Sequence, residues 1–289
     1  MIAVALLPFL PLQGGFLMRV SIISDEISRD PLSAAELAAE WGIRHLELRS
    51  FYGTRAPRGM TARQIEQVAE AAASFGLDVP SISPGLFKIE LDDPQIVEHR
   101  GELRMQCVDM AEMLGAKMMV IFPHVRPEGV ADDAWPDEVV SDLQATADVA
   151  AKRGISVALE TEKPCYGATG QSMARLLDEI DRPNCGANWD PQNHHAYNGE
   201  SFRPGYEALG DRIIHVHVKD TKVDDDGNRS TVVPGEGEVD WPGQIEALVA
   251  DGYEGMMVIE THFSPKIAAS KASAEALIAM LEEAGESIE

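Results

Sequence analysis

Four short apolar runs in the second half of the chain each end in a side chain able to hold a metal ion or move a proton. They are Val-Ala-Leu-Glu160, Asn-Trp-Asp190, His-Val-His217-Val-Lys and Val-Ile-Glu260. Period-two alternation sets their direction, because successive side chains of a strand point to opposite faces. Val157 and Leu159 take one face and leave Ala158 and Glu160 on the other; Trp189 opposes Asn188 and Asp190. Val216 and Val218 oppose His215, His217 and Lys219, and Met257 and Ile259 oppose Val258 and Glu260. Three carboxylates and an imidazole meeting in a low-dielectric site repel and shift unless a cation neutralises them. A divalent metal is the natural solution. Oxygen-rich ligation with one imidazole and no thiolate suits Mn2+, Mg2+, Co2+ or Zn2+.

These four side chains converge only if their strands lie side by side and point the same way. The whole chain supports that. Strands are expected at Arg19–Ser24, His45–Arg49, Asp78–Ser83, Lys117–Phe122, Ile155–Glu160, Asn184–Trp189, Ile213–Val218 and Gly255–Glu260. Between them Ala, Leu and Glu recur at three- and four-residue spacing, predicting helices at Leu32–Trp41, Ala62–Phe75, Pro94–Leu114, Asp137–Arg153 and Ser172–Ile180. Several end at glycines such as Gly42, Gly76, Gly115, Gly154 and Gly252. Strand–helix alternation implies parallel pairing. Eight strands, with no phosphate-cradling glycine fingerprint after the first, favour a closed α/β (β/α)8 TIM barrel in a single domain over an open sheet. In such a barrel, chemistry gathers at the C-terminal strand ends.

Other residues are expected around that mouth. Glu47 and Arg49 share the inner face of the second strand, and Glu162 has the parity of Glu160 and rivals it as a ligand. Arg49, Lys88, His124, His194 and Lys219 are the candidates for binding substrate, with His195 and His262 nearby. Gly235-Glu-Gly-Glu-Val-Asp-Trp-Pro242 lacks the Gly-Lys-Ser/Thr ending of a phosphate loop. It reads as a lid leading into a helix capped by Asp240, with Pro242 in its first turn.

A net charge of -24 argues against nucleic-acid and membrane partners, which present anionic surfaces. Cys107, Cys165 and Cys185 have no metal-type spacing and make no disulfide framework, which fits a reducing, cytoplasmic setting. Residues 1–17 are apolar without a basic start, too broken by proline and glycine for a membrane span, and are expected to be an N-terminal extension upstream of a start at Met18, with the barrel over residues 18–289.

From Met18 to the last helix the chain resembles the xylose isomerase-like superfamily, in particular its sugar phosphate isomerases/epimerases. The resemblance rests on Ser24-Asp-Glu-Ile-Ser28, Ala158-Leu-Glu160, Trp189-Asp-Pro191, His215-Val-His-Val-Lys-Asp220, Pro234-Gly-Glu-Gly-Glu-Val-Asp-Trp241 and Val258-Ile-Glu-Thr261. It implies that Glu160, Asp190, His217 and Glu260 are the metal ligands and that Glu160 and Glu260 are also the catalytic acid and base. It further implies a carbohydrate-like substrate, a homo-oligomer, and proton abstraction next to a carbonyl through a metal-stabilised enediolate. Two positions depart from the ketose epimerases: Asn193 stands where they carry histidine, and Val223 where they carry arginine. A sugar isomerase or epimerase is therefore the leading expectation, with a metal-dependent dehydratase of the inositol-catabolic type second. An abasic-site DNA endonuclease disagrees with the acidic charge and with Asn193, and a non-catalytic ligand-binding barrel leaves the two glutamates without a role.

Overall fold

A computed structural model describes residues 18–198 and 201–286, the side chains of residues 196–198 excepted. The expected extension, residues 1–17, lies outside the described residues. Eight parallel strands close into a barrel: β1 (Arg19–Ile23), β2 (His45–Leu48), β3 (Asp78–Ile82), β4 (Met118–Ile121), β5 (Ser156–Glu160), β6 (Cys185–Trp189), β7 (Ile213–Val218) and β8 (Met256–Ile259). Each strand pairs with its sequence neighbours, and β8 returns to pair with β1 in the register Arg19↔Met256 to Ile22↔Ile259. Closure leaves no barrel edge exposed.

Alternation divides the side chains as the sequence predicts. Val157, Leu159, Trp189, Val216, Val218, Met257 and Ile259 pack outward into the continuous core beneath the helices. Trp189 is fully buried there and donates its indole N–H to Gln244 at 3.0 Å. The barrel interior holds a separate small apolar cluster, Ile23, Met256 and Val258. Beside it, Glu47, His215 and His217 are buried too, paired in register with Ile23, Met256 and Val258 respectively.

The expected helix over 94–114 starts at Ile96 and is not uniform: a π turn at His99–Leu103 precedes the α-helix Arg104–Leu114. Across this widened turn, His99 accepts the backbone N–H of Phe87 at 2.8 Å and Arg100 reaches Asp142 at 2.9 Å. Helical periodicity carries no signal for such an insertion.

Two antiparallel hairpins rise beyond the barrel mouth, Ser50–Phe51 with Thr54–Arg55 after β2, and Asp220–Val223 with Arg229–Val232 after β7. The glycine-rich segment that follows is gathered by Asp220. Its buried carboxylate accepts the backbone N–H groups of Thr221, Gly235, Gly237 and Val239 at 2.7, 2.9, 3.1 and 3.0 Å. Asp240 then caps the helix Trp241–Ala250 by accepting from Gly243, with proline in its first turn as expected. At Gly237 a Cβ would lie 2.2 Å from the Asp220 carboxylate and 2.4 Å from the Thr221 carbonyl. Gly237→Ala is therefore expected to lower stability by about 1–3 kcal/mol, because fixed backbone must shift. Urea unfolding beside wild type tests this; an unchanged midpoint and slope would contradict the packing around Asp220.

Candidate active site

Glu160, Asp190, His217 and Glu260 meet at the C-terminal mouth, each buried, with one potential ligand atom from each lying within 4.8 Å of all the others. Their common height follows from the register, which pairs Glu160 with Asn188 and Val258 with His217. Asp190 and Glu260 follow the last residues of β6 and β8 and so continue the inward parity of Asn188 and Val258.

Several groups hold this concentration of acid together. Lys219 donates to Asp190 and Glu260, both at 2.7 Å. Arg49 donates to Glu260 at 2.8 Å and is itself clamped by Asp25 at 2.9 and 3.0 Å and by Glu26 at 2.5 Å. His262 lies 2.8 Å from Glu260. Asn193 donates its side-chain amide to Asp190 at 2.9 Å and to Glu160 at 3.3 Å.

The imidazole of His217 is oriented from below. His215 and His217 direct their Nε2 atoms at the two oxygens of Glu47, at 2.7 and 3.0 Å. Ser81 donates to the same carboxylate at 2.8 Å. A carboxylate can only accept, so each Nε2 carries the proton. That leaves Nδ1 of His217 facing Glu160 and Glu260 at 3.7 and 3.5 Å, which are ion-pair distances rather than hydrogen bonds. Glu47, His215 and His217 also form a second close group of potential ligand atoms. Its donors are already engaged with one another.

The electrostatics follow from this arrangement. Burial pushes the Asp190 carboxyl up and Glu160 and Glu260 add to the rise, against the pull of Lys219. Burial raises Glu260 too, but Lys219 and the histidines outweigh it and hold it well below the usual carboxylate range. Glu160 is also lowered, since burial is overcome by His217. Burial disfavours charged His217, yet Glu47 and Glu160 together raise it well above an ordinary imidazole. Three hard carboxylate donors and one imidazole with its tautomer fixed fit a divalent cation well.

The substrate-binding candidates fare differently. Lys219 and Arg49 are at the site but committed to its carboxylates. Lys88 pairs with Glu162 at 2.7 Å, which removes Glu162 from the ligand group and leaves Glu160 as the first member. His124 is turned away: it has φ 60°, is fully buried, stacks on Phe87 at 4.6 Å and faces Asp142 of the outer helix Asp137–Ala151 at 3.2 Å. His194 is turned away as well, with its ring 5.0 Å from that of Trp189. Each helical residue rotates about 100° past the last, so in the helix Pro191–Asn198 it is Asn193 that faces the site and His194 that faces the outer layer. His195 pairs with Glu238 at 3.1 Å on the rim. Asp25, Glu26 and Arg55 were not singled out by sequence reasoning, although Asp25 and Glu26 lie in a recognisable motif. A cavity of about 550 Å3, lined by Tyr206, Asp251 and Tyr253, contains none of the four central residues.

Residues 35–284 match the model of the xylose isomerase-like TIM barrel family. The chain belongs to that family. Among characterised members it is similar to inosose dehydratase of Geobacillus thermodenitrificans (strain NG80-2), 27% identical over 47% of this chain and 50% of the relative. It is also similar to ketose 3-epimerase of Arthrobacter globiformis, 28% identical over 68% of this chain and 65% of the relative. The match to the first of these relatives spans about half its length. Among solved members of the xylose isomerase-like fold, the IOLI protein with a bound zinc atom superposes with TM-score 0.75 at 19% identity, covering 92% of this chain and 99% of that one. D-Allulose 3-epimerase from Methylomonas sp., in complex with D-allulose, superposes with TM-score 0.73 at 19% identity, covering 91% and 97%.

The Glu47 arrangement carries a specific expectation. In Glu47→Gln one face of the amide donates rather than accepts, so His215 and His217 can no longer both present Nε2–H to it. Affinity for Mn2+ or Zn2+ is expected to fall by about 10–100-fold, the usual effect of removing a carboxylate behind a ligand histidine. Isothermal titration of each ion into wild type and variant measures it; equal affinities would remove Glu47 from the site's design.

Proposed function

We propose that this protein is a metal-dependent sugar isomerase or epimerase, acting by proton abstraction next to a carbonyl. The observation carrying this reading is that Glu160 and Glu260, delivered by different strands β5 and β8, each lie within ion-pair distance of the same His217 Nδ1, at 3.7 and 3.5 Å. Glu160, Asp190, His217 and Glu260 are the residues that would hold the ion. Bound there, a divalent cation supplies Lewis acidity, stabilising negative charge that develops on a substrate oxygen. Of the candidate metals, zinc occurs in a relative of the same fold.

The chain's own residues do the proton work. One of the two glutamates takes the proton from the carbon beside the carbonyl, and the other returns one to the resulting enediolate. Arg49, Asp25 and Glu26 fix the Glu260 carboxylate, while Asn193 and His217 fix Glu160. Rigid placement at hydrogen-bond reach is what general acid–base catalysis requires. Lys219, bridging Asp190 and Glu260, is placed to donate to a substrate oxygen as well as to its present partners. The reaction belongs with small-molecule carbohydrate metabolism, and the protein is read as cytoplasmic; among the described residues no helix is long and apolar enough to cross a membrane.

A dehydratase reading uses the same first step and then expels a hydroxyl group. It is favoured by the similarity to inosose dehydratases and by Asn193 and Val223, the two departures from the ketose epimerases.

The two readings separate in D2O. Mn2+-loaded protein is incubated with a panel of ketoses and inososes and followed by NMR. Deuterium entering next to the carbonyl with a new epimer or isomer marks the first reading; loss of water from the product marks the second. Glu160→Gln and Glu260→Gln are each expected to lower the exchange rate at least about 10²-fold, the ordinary worth of a general acid or base. Wild type that binds metal but exchanges no substrate proton across the panel would sink both enzymatic readings.

A further inference from the structure

Arg55 closes the hairpin that follows β2, paired through its backbone with Ser50 and adjacent to Arg49, whose carbonyl accepts the Ala56 N–H at 3.0 Å. This places its guanidinium at the same mouth as the carboxylates, where Glu160, Asp25 and Glu260 attract it and Arg49 repels it. The side chain is wedged over the turn after β3: its Nε lies 2.7 Å from where a Cβ on Gly85 would stand, and glycine at φ +76° is what makes room. Nη2 donates to the Ser83 carbonyl at 3.1 Å, its single hydrogen bond among the described residues. Nε is buried with no acceptor.

The other cations around the mouth differ. Arg49 is surrounded by Asp25, Glu26 and Glu260; Lys219 bridges Asp190 and Glu260; Lys88 is held by Glu162. Each is neutralised by protein carboxylate at contact distance. Arg55 forms no such ion pair with a described residue, although acids surround it. A guanidinium has five donors, and a buried donor without an acceptor is costly. Burial, then Arg49, further disfavours its charge. An arginine whose role was only to brace the Gly85 turn would gain nothing from these open donors. An incoming anion would meet the outer Nη1–Nη2 edge, whose Nη1 has no partner among the described residues and is not one of the buried unpaired atoms, in the fork geometry that guanidinium offers to carboxylate and phosphate.

We propose that Arg55 is a specificity-determining residue that binds an anionic oxygen group of the substrate, a carboxylate or a phosphate, so that the site acts on an acidic sugar derivative rather than a neutral one. This rests on the proton-transfer reading above and narrows its substrate class. Such a group anchors the substrate at the β2–β3 side of the mouth while the reacting carbons lie over Glu160 and Glu260. It also resolves a conflict of charge, since an anion approaching so many carboxylates needs one cation that they have not already taken.

The test is calorimetric titration of Mn2+-loaded protein with D-fructose, D-fructuronate and D-fructose 6-phosphate, which share a carbon skeleton and differ in the terminal group. Wild type is expected to bind one of the two anionic sugars at least about tenfold more tightly than fructose, the worth of one charge-assisted contact. Which one wins separates carboxylate from phosphate. In Arg55→Gln that preference disappears while fructose and Mn2+ affinities stay within about twofold. If the glutamine variant does not fold, Arg55→Lys decides: it keeps the charge without the fork and should weaken only the anionic sugar severalfold. Equal binding of the three sugars by wild type, or a preference that survives loss of the guanidinium, overturns the proposal. Wild type that binds no Mn2+ counts against the metal-dependent reading, and the same three titrations of metal-free protein then still decide Arg55.

Discussion

Mutual repulsion among Glu160, Asp190 and Glu260 is the constraint around which the rest of the mouth is arranged. Two like charges about 4 Å apart repel by about 4 kcal/mol at an effective dielectric near 20, and three carboxylates make three such pairs. Folding a barrel around them requires counter-charge at contact distance. The chain supplies it in alternating shells. Lys219, His217 and Arg49 touch the carboxylates, and Glu47, Asp25 and Glu26 stand behind those cations. Each shell would be unstable without the next. That is why so many charged residues can be buried at one end of the barrel, beside the apolar side chains of Ile23, Met256 and Val258.

This layering also explains why the central residues were legible from sequence and the surrounding ones were not. A β-strand has only two faces, so the apolar neighbours of Glu160, His217 and Glu260 settle which way those side chains point. Parallel pairing then sets them at one height. The eight strands and five helices fall within two residues of the expected bounds for the same reason, except at the π turn His99–Leu103. Beyond the strand ends no alternation constrains the side chain. His124 enters a left-handed turn and rotates outward; His194 is placed by helical phase, one step past Asn193. Sequence position puts all of these near the mouth, but only the turn geometry decides which enter it. Arg55 was missed for a related reason, since its hairpin is two residues to a strand and leaves little pattern to read.

Asp220 shows how a charged motif can be structural where its neighbours are chemical. It follows Lys219 in the run His-Val-His-Val-Lys-Asp, yet its carboxylate faces four backbone N–H groups rather than the ligand group. By gathering Gly235, Gly237 and Val239, it ties the loop beyond β7 to the strand that carries His217 and Lys219. The helix capped by Asp240 then places Gln244 under Trp189, and Trp189 precedes Asp190. The loop beyond β7 and the carboxylates at the mouth are thus joined through ordinary packing.

A division of labour follows. In the proposed reaction, the barrel interior, through Glu47, His215 and strand register, would fix where a proton is taken and returned, without distinguishing one polyhydroxy ketone from another. On that reading, discrimination would come from the segments beyond the strand ends: the helix Pro191–Asn198 that carries Asn193 and the hairpins that carry Val223 and Arg55. Relatives with dehydratase and epimerase names are 27% and 28% identical to this chain over the parts they match. Such a range of reactions is what a fixed proton-transfer floor beneath exchangeable substrate contacts allows. In the proposed reaction, the fate of the enediolate would depend on which substituent the upper contacts hold in line with Glu160 or Glu260. A proton returned there gives an isomer or epimer, and a hydroxyl group aligned there instead gives loss of water.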